Sequence, residues 1–252
     1  IAFGLLYLGI VKKYDPPRPV TAGTHSLRRD NHLIESGGLD VIGLNYRVPG
    51  YDSLEVWHPD VPMIASETVS ALNSRGIYFQ PSTVLRTLPS YRSPFSTQSV
   101  PEDPVPFQCT AYDNCHSFWS VCTTHQDGWI PVRNKERVAG TFVWTGFDYL
   151  GEPTPYSWPS RSSYFGIVDL AGFPKDIYWM YKSEWTDETV LHVFPHWNWN
   201  EGDKIDFWAY FNNADEVGYR LYYWREQNEE VDFILTKWGK TVAIEVKSGQ
   251  RT

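Results

Sequence analysis

The sequence predicts an α/β protein containing half of a (β/α)8 barrel and then a short antiparallel β segment. Three observations carry that expectation. Four short apolar runs, at 19–23, 39–46, 62–67 and 138–144, each close on polar residues. Helical or irregular stretches separate them, as crossovers between parallel strands require. After Asp176 the texture changes to shorter alternating runs. Polar groups at the C-terminal ends of parallel strands are where such barrels build their sites. The spacing alone fits a doubly wound sheet nearly as well.

The elements follow in order. Residues 1–14 are helical in character and stop at Asp15-Pro16-Pro17, because proline cannot continue a helix. The opening apolar run, Ile1–Ile10, is far too short to span a bilayer and lacks the basic start and cleavage site of a signal peptide. It reads as an interior helix entered part-way, so a truncated N-terminus is expected. A strand at 19–23 precedes a helix candidate at 31–36, closed by Gly37-Gly38. Strands at 39–46 and 62–67 follow. Residues 78–126 are rich in Pro, Ser and Thr without period and read as a long excursion. The fourth strand is 138–144. Runs at 191–193 and 205–211 look like antiparallel strands, and 219–223, 231–235 and 241–246 form a strand–turn–strand tail.

Of 252 residues, 42% are hydrophobic and 21% charged, which places the chain among globular rather than disordered proteins. The net charge of −8 argues against a nucleic-acid-binding surface over the whole chain, since phosphate contacts need clustered Lys and Arg. Aromatic residues reach 16%, with 12 Trp, which fits either a Trp-rich core or flat faces for sugar rings. Cys109, Cys115 and Cys122 show no CxxC spacing, so they form one bridge or none.

Glu67 is the strongest chemical candidate. It ends a strand whose preceding Met63, Ile64 and Ala65 are apolar, so the scaffold fixes it at the strand mouth. A retaining glycosidase needs such a carboxylate as nucleophile and a second carboxyl group about 5–5.5 Å away. On pattern alone, Glu67 reads equally well as the start of a helix capped by Ser66.

The segment Ile64-Ala-Ser-Glu-Thr-Val-Ser-Ala-Leu-Asn-Ser-Arg-Gly76 resembles the nucleophile segment of glycoside hydrolase family two enzymes of the β-galactosidase type. Phe142-Val-Trp-Thr-Gly-Phe-Asp-Tyr-Leu-Gly-Glu-Pro-Thr-Pro-Tyr156 resembles the stretch after their last barrel strand. Further matching segments are 13–20, 43–46, 165–176 and 195–199, and the resemblance covers about residues 1–217. It implies that the four strands are the fifth to eighth of the barrel, with a partial barrel at 1–188 and the start of a β-sandwich at 189–217. It also implies a terminal β-galactoside substrate, no cofactor for the glycosidase part, no membrane partner, and a bacterial periplasmic or cytoplasmic location. By position, Glu67 matches the nucleophile and Tyr46 the tyrosine that hydrogen-bonds it. Trp144 matches an aromatic platform, with Asn45 at the pocket rim. Asp148 and Glu152 sit in the loop above, where they either bind hydroxyl groups or, for Glu152, form an ion pair. His196 and Trp197 either reach the pocket wall or seal the barrel.

The family's acid/base is a Glu following Asn after the fourth strand, and no such pair precedes Lys12. General-acid assistance is worth about 10²–10⁴-fold, so poor hydrolysis of galactosides by this chain alone is expected. The tail at 218–252 instead resembles the core hairpin of PD-(D/E)XK nuclease-like domains, with Asp232 and Glu245 as metal ligands, Lys247 as the motif lysine, and Mg²⁺ as the implied ion. The plainer reading of Glu245 and Lys247 is a salt bridge on a solvated strand face.

Overall fold

The computed structural model describes residues 2–82, 109–113, 124–153, 160–196, 198–200, 202–212, 220–226, 229–237 and 240–244. Helix α1 (Ala2–Tyr14) leads into four parallel strands, β1 (Thr21–Thr24), β2 (Val41–Asn45), β3 (Met63–Glu67) and β4 (Val138–Thr141), hydrogen-bonded in sequence order. The fold is therefore mixed α/β with a parallel sheet. Parallel strands are covered on both faces, which is why β2 reads as a near-continuous apolar run with Ile42, Gly43 and Leu44 buried.

Among the described residues the crossovers hold two α-helices, α2 (Tyr51–Trp57) and α3 (His125–Arg133). Tyr51 and Leu54 of α2 join Ile42, Leu44, Met63, Ala65 and Val138 in the main core. Burying a side chain such as Leu54 or Ile42 stabilises the fold by about 1.5–3 kcal/mol. The start of α3 is strongly capped. Thr124 accepts the Asp127 N–H at 3.0 Å, and the Asp113 carboxylate accepts the N–H groups of His125 and Gln126 at 2.9 Å each. These contacts satisfy donors that no helical carbonyl can reach.

Helix α4 (Asp176–Trp185) packs beside an antiparallel pair, β5 (Leu191–Phe194) and β6 (Trp208–Phe211). Tyr112, Ile177, Met180, Tyr181, Phe194 and Tyr210 make a second, aromatic core there. In the tail, β7 (Arg220–Glu226), β8 (Glu229–Lys237) and β9 (Lys240–Ile244) form an antiparallel meander. No helix among the described residues is long and apolar enough to cross a membrane.

Several local expectations change. Residues 32–37 form consecutive turns rather than a helix: the Asn31 carbonyl accepts the Glu35 N–H at 2.8 Å, and Gly37, at φ 68°, ends the run at once. Strand β4 ends at Thr141, so Trp144 lies beyond it. The excursion at 78–126 contains a buried stretch, Cys109–Asp113, and ends at the start of α3. Cys115 and Cys122 lie outside the described residues.

Candidate active site

Strand β3 delivers Glu67 to the end of the sheet, half-buried, directly opposite Asn45 of β2. Asn45 Nδ2 lies 3.5 Å from Glu67 Oε2, at the outer limit of a hydrogen bond. The Ser66 hydroxyl donates to Asn45 Oδ1 at 2.6 Å. That bond orients the amide, leaving its NH2 rather than its carbonyl towards the carboxylate; the reverse would set two acceptors face to face. Two glycines make the room. A Cβ on Gly43 would stand 2.6 Å from the Ala22 carbonyl oxygen and 2.9 Å from Ser66 Oγ, and one on Gly23 would stand 2.8 Å from Asn45 Oδ1. Burial raises the Glu67 pKa above its ordinary value. Among the described residues no like charge adds to the shift, as a second carboxylate at bonding range would.

Tyr46 adopts the left-handed conformation, φ 59°, at the turn out of β2. A bulky residue rarely sits there without a compensating constraint. Its N–H donates to the Glu67 carbonyl oxygen at 2.8 Å, which ties the two strand ends together. Among the described residues no side-chain hydrogen bond joins Tyr46 to the Glu67 carboxylate. The expected tyrosine contact is a backbone one here, and Asn45, placed at the rim by sequence, holds the carboxylate.

Beyond β4, Trp144 is 44% exposed, its indole meeting Tyr149 edge-on at 6.2 Å and 80°. The charges of Glu152 and Glu67 both act on the Tyr149 hydroxyl. Burial is the main cause that raises the Tyr149 pKa. Tyr149 thus packs edge-on against the exposed indole and feels the charge of Glu67, a position that sequence reading did not single out. Its only signal was a place five residues after Trp144, where an aromatic side chain reads as packing.

Asp148 departs from expectation. Its carboxylate is turned inward to Lys175 Nζ, at 2.9 Å from Oδ1 and 2.8 Å from Oδ2, and Oδ1 also accepts the Gly166 N–H at 2.8 Å. With a side chain 6% exposed and both oxygens engaged, it has no free acceptor to offer a sugar hydroxyl. Burial pulls the Asp148 pKa up and the Lys175 pKa down, and their mutual hydrogen bonds oppose both shifts.

His196 is exposed on an aromatic wall, edge-on to Tyr78 at 5.2 Å and stacked on Trp199 at 5.2 Å. Its described contacts lie with that wall and not with Glu67. Trp197, Glu245 and Lys247 fall outside the described residues, and Asp232 lies within β8. No group of three or more His, Cys, Asp or Glu residues able to hold a metal ion occurs among the described residues.

The assembled chemistry is a partly desolvated carboxylate at a strand end, beside an amide, with an exposed indole packed on a phenol in the loop after β4. It can act as a nucleophile or base towards a flat-faced ligand. The chain is 50% identical over 210 residues to β-galactosidase BoGH2A of Bacteroides ovatus, an alignment covering 83% of this chain and 24% of that enzyme. A β-glycosidase from Bacteroides vulgatus superposes with a TM-score of 0.65 at 25% identity, covering 97% of this chain and 31% of that one. A glycosyl hydrolase family 2 member from Bacteroides cellulosilyticus shares the fold, with a TM-score of 0.52 at 22% identity over 97% of this chain and 27% of that one. Residues 206–252 match the family model of a domain of unknown function, DUF4143. Over 83% of its length the chain is thus similar to a β-galactosidase, and it spans 24% of that curated relative.

Proposed function

We propose that this chain carries the nucleophile side of a retaining β-galactosidase site, with Glu67 as the nucleophile. The observation that carries the proposal is the placement of Glu67: a half-buried carboxylate at a parallel strand end, held by Asn45, in a chain 50% identical to a β-galactosidase. On this reading β1 to β4 are the fifth to eighth strands of a (β/α)8 barrel, within 1–188, and β5 and β6 begin a sandwich at 189–217. A sugar ring stacks on Trp144, and Tyr149 meets its hydroxyl groups. The Glu67 carboxylate attacks the anomeric carbon, a C–O bond forms as the glycosidic C–O bond breaks, and the electron pair leaves with the aglycone oxygen. Water then attacks the same carbon, the ester C–O bond to Glu67 breaks, and galactose, the free carboxylate and a proton taken up by solvent result.

An activated aglycone reads the nucleophile by itself, because its phenolate leaves without a proton. Dinitrophenyl β-galactoside should therefore react in a Glu67-dependent manner. Equal turnover by the Glu67→Gln variant, or a preference for dinitrophenyl β-glucuronide, would contradict the reading. The tail carries a separate proposal, Mg²⁺-dependent nuclease chemistry at Asp232, Glu245 and Lys247. Its support is the sequence resemblance alone, and its test is Mg²⁺-dependent DNA cleavage lost in Lys247→Ala.

A further inference from the structure

Residues 68–74 leave Glu67 as an irregular run without helix or strand, yet Thr68, Val69, Ala71, Leu72, Asn73 and Ser74 are all buried. A buried run of that kind must find tertiary partners for its backbone groups. Asn73 finds them in the stretch that follows β4. Its N–H donates to the Tyr164 carbonyl oxygen at 3.0 Å, and its own carbonyl accepts from Lys175 Nζ at 2.6 Å. Lys175, which is 1% exposed, also reaches the Tyr164 carbonyl at 3.3 Å and the Asp148 carboxylate. An ammonium has three N–H donors, and each has an acceptor here. The approach is close: a Cβ on Gly166 would stand 2.1 Å from the Asp148 nitrogen.

Asp148 stands between Trp144 and Tyr149 in the chain. We propose that Lys175 is a positioning residue of the sugar site: its ammonium ties the segment leaving Glu67 to the loop bearing Trp144 and Tyr149, and so sets the carboxylate against the aromatic platform. This inference rests on the proposed galactoside site. Lys175 itself is buried, with its three donors engaged by Asn73, Tyr164 and Asp148, so it acts through the segments it joins. A surface lysine could be lost without consequence, but a buried one that joins two segments flanking a site transmits any slack to both.

The test compares the native chain with Lys175→Met and with the double variant Asp148→Leu/Lys175→Met. The double variant leaves no orphan charge in the interior and so keeps the fold accessible, as apolar replacements of buried ion pairs do. Two readouts are taken: affinity for galactose by calorimetry, and hydrogen exchange of peptides covering 68–74 and 145–166. The expected result in the folded double variant is exchange faster by roughly tenfold in both peptides. Galactose affinity should fall by roughly tenfold, with β1 and β2 unchanged. A folded double variant with native exchange and native affinity overturns the proposal. So does faster exchange at 145–166 with affinity intact, because Lys175 would then be a structural pin only. Failure of the native chain to bind galactose sinks the galactoside reading, and the exchange data then decide separately whether Lys175 joins the two segments.

Discussion

Acidification should destabilise this chain through one buried histidine, against an opposing carboxylate. His125 is fully buried, its Nε2 3.2 Å from Asn73 Oδ1 and its Nδ1 2.9 Å from the Tyr181 hydroxyl. Asn73 Oδ1 can only accept, so Nε2 carries the proton and Nδ1 accepts from Tyr181. Burial, helped by the charge of Lys175, lowers the His125 pKa from 6.5 to about 3. The unfolded chain therefore binds the proton first, and the stability that neutral His125 provides above pH 6.5 is lost as pH falls towards 3. Each pH unit of displacement is worth about 1.4 kcal/mol, so the full loss is on the order of 5 kcal/mol. Asp113 acts in the other direction. Burial raises its pKa from 3.8 to about 6, so its contribution is complete below 3.8 and is lost as pH rises through 6. That swing is on the order of 3 kcal/mol. Stability should therefore fall between pH 6.5 and pH 3 by a net amount on the order of 2 kcal/mol. Urea melts across this range measure it. In a His125→Gln variant the opposing Asp113 swing remains, so stability should rise, not fall, on acidification. A native chain whose stability rises with acid, or a variant that follows the native curve, would refute the reasoning.

Three further outcomes are expected. Gly43→Ala should destabilise the sheet by about 1–3 kcal/mol in thermal melts, because its methyl group must displace the Ala22 carbonyl and the Ser66 hydroxyl. Tyr149→Phe keeps the ring edge on Trp144 but removes the hydroxyl; calorimetry should show galactose affinity lower by roughly fivefold, about one hydrogen bond, with the melting temperature unchanged. Trp144→Ala removes the exposed indole, so galactose binding should fall beyond detection while the far-ultraviolet spectrum stays native.

How much of this was legible depends on what each residue answers to. The four parallel strands were readable because buried strands leave long apolar runs, and Val41–Asn45 and Met63–Glu67 lie within the expected segments. The helix expected at 31–36 is instead a run of turns, because Gly37 leaves it in the left-handed conformation after little more than one turn, too few residues to hold a helix. Glu67 was legible from its place at a strand end, whereas the partners of its carboxylate were not. Asn45 and Ser66 meet across two strands and two glycines, and only register fixes such a pairing. Asp148 looked like a site carboxylate because its partner, Lys175, lies far along the chain and sequence shows no distance between them. Tyr149 and His125 were passed over for the same reason: a buried polar ring is defined by its neighbours.

The central claim is that Glu67 forms a bond to the anomeric carbon. Incubation with dinitrophenyl 2-deoxy-2-fluoro-β-galactoside, followed by proteolysis and mass spectrometry, tests it directly. The fluorine slows release of the sugar, and the leaving group needs no acid. The account predicts one fluorogalactosyl unit on Glu67, absent in Glu67→Gln, with a labelling rate that falls as pH drops through a value above the ordinary 4.5 of glutamate, because burial favours the neutral carboxyl group. Label on another carboxylate, or label that persists in Glu67→Gln, would contradict it.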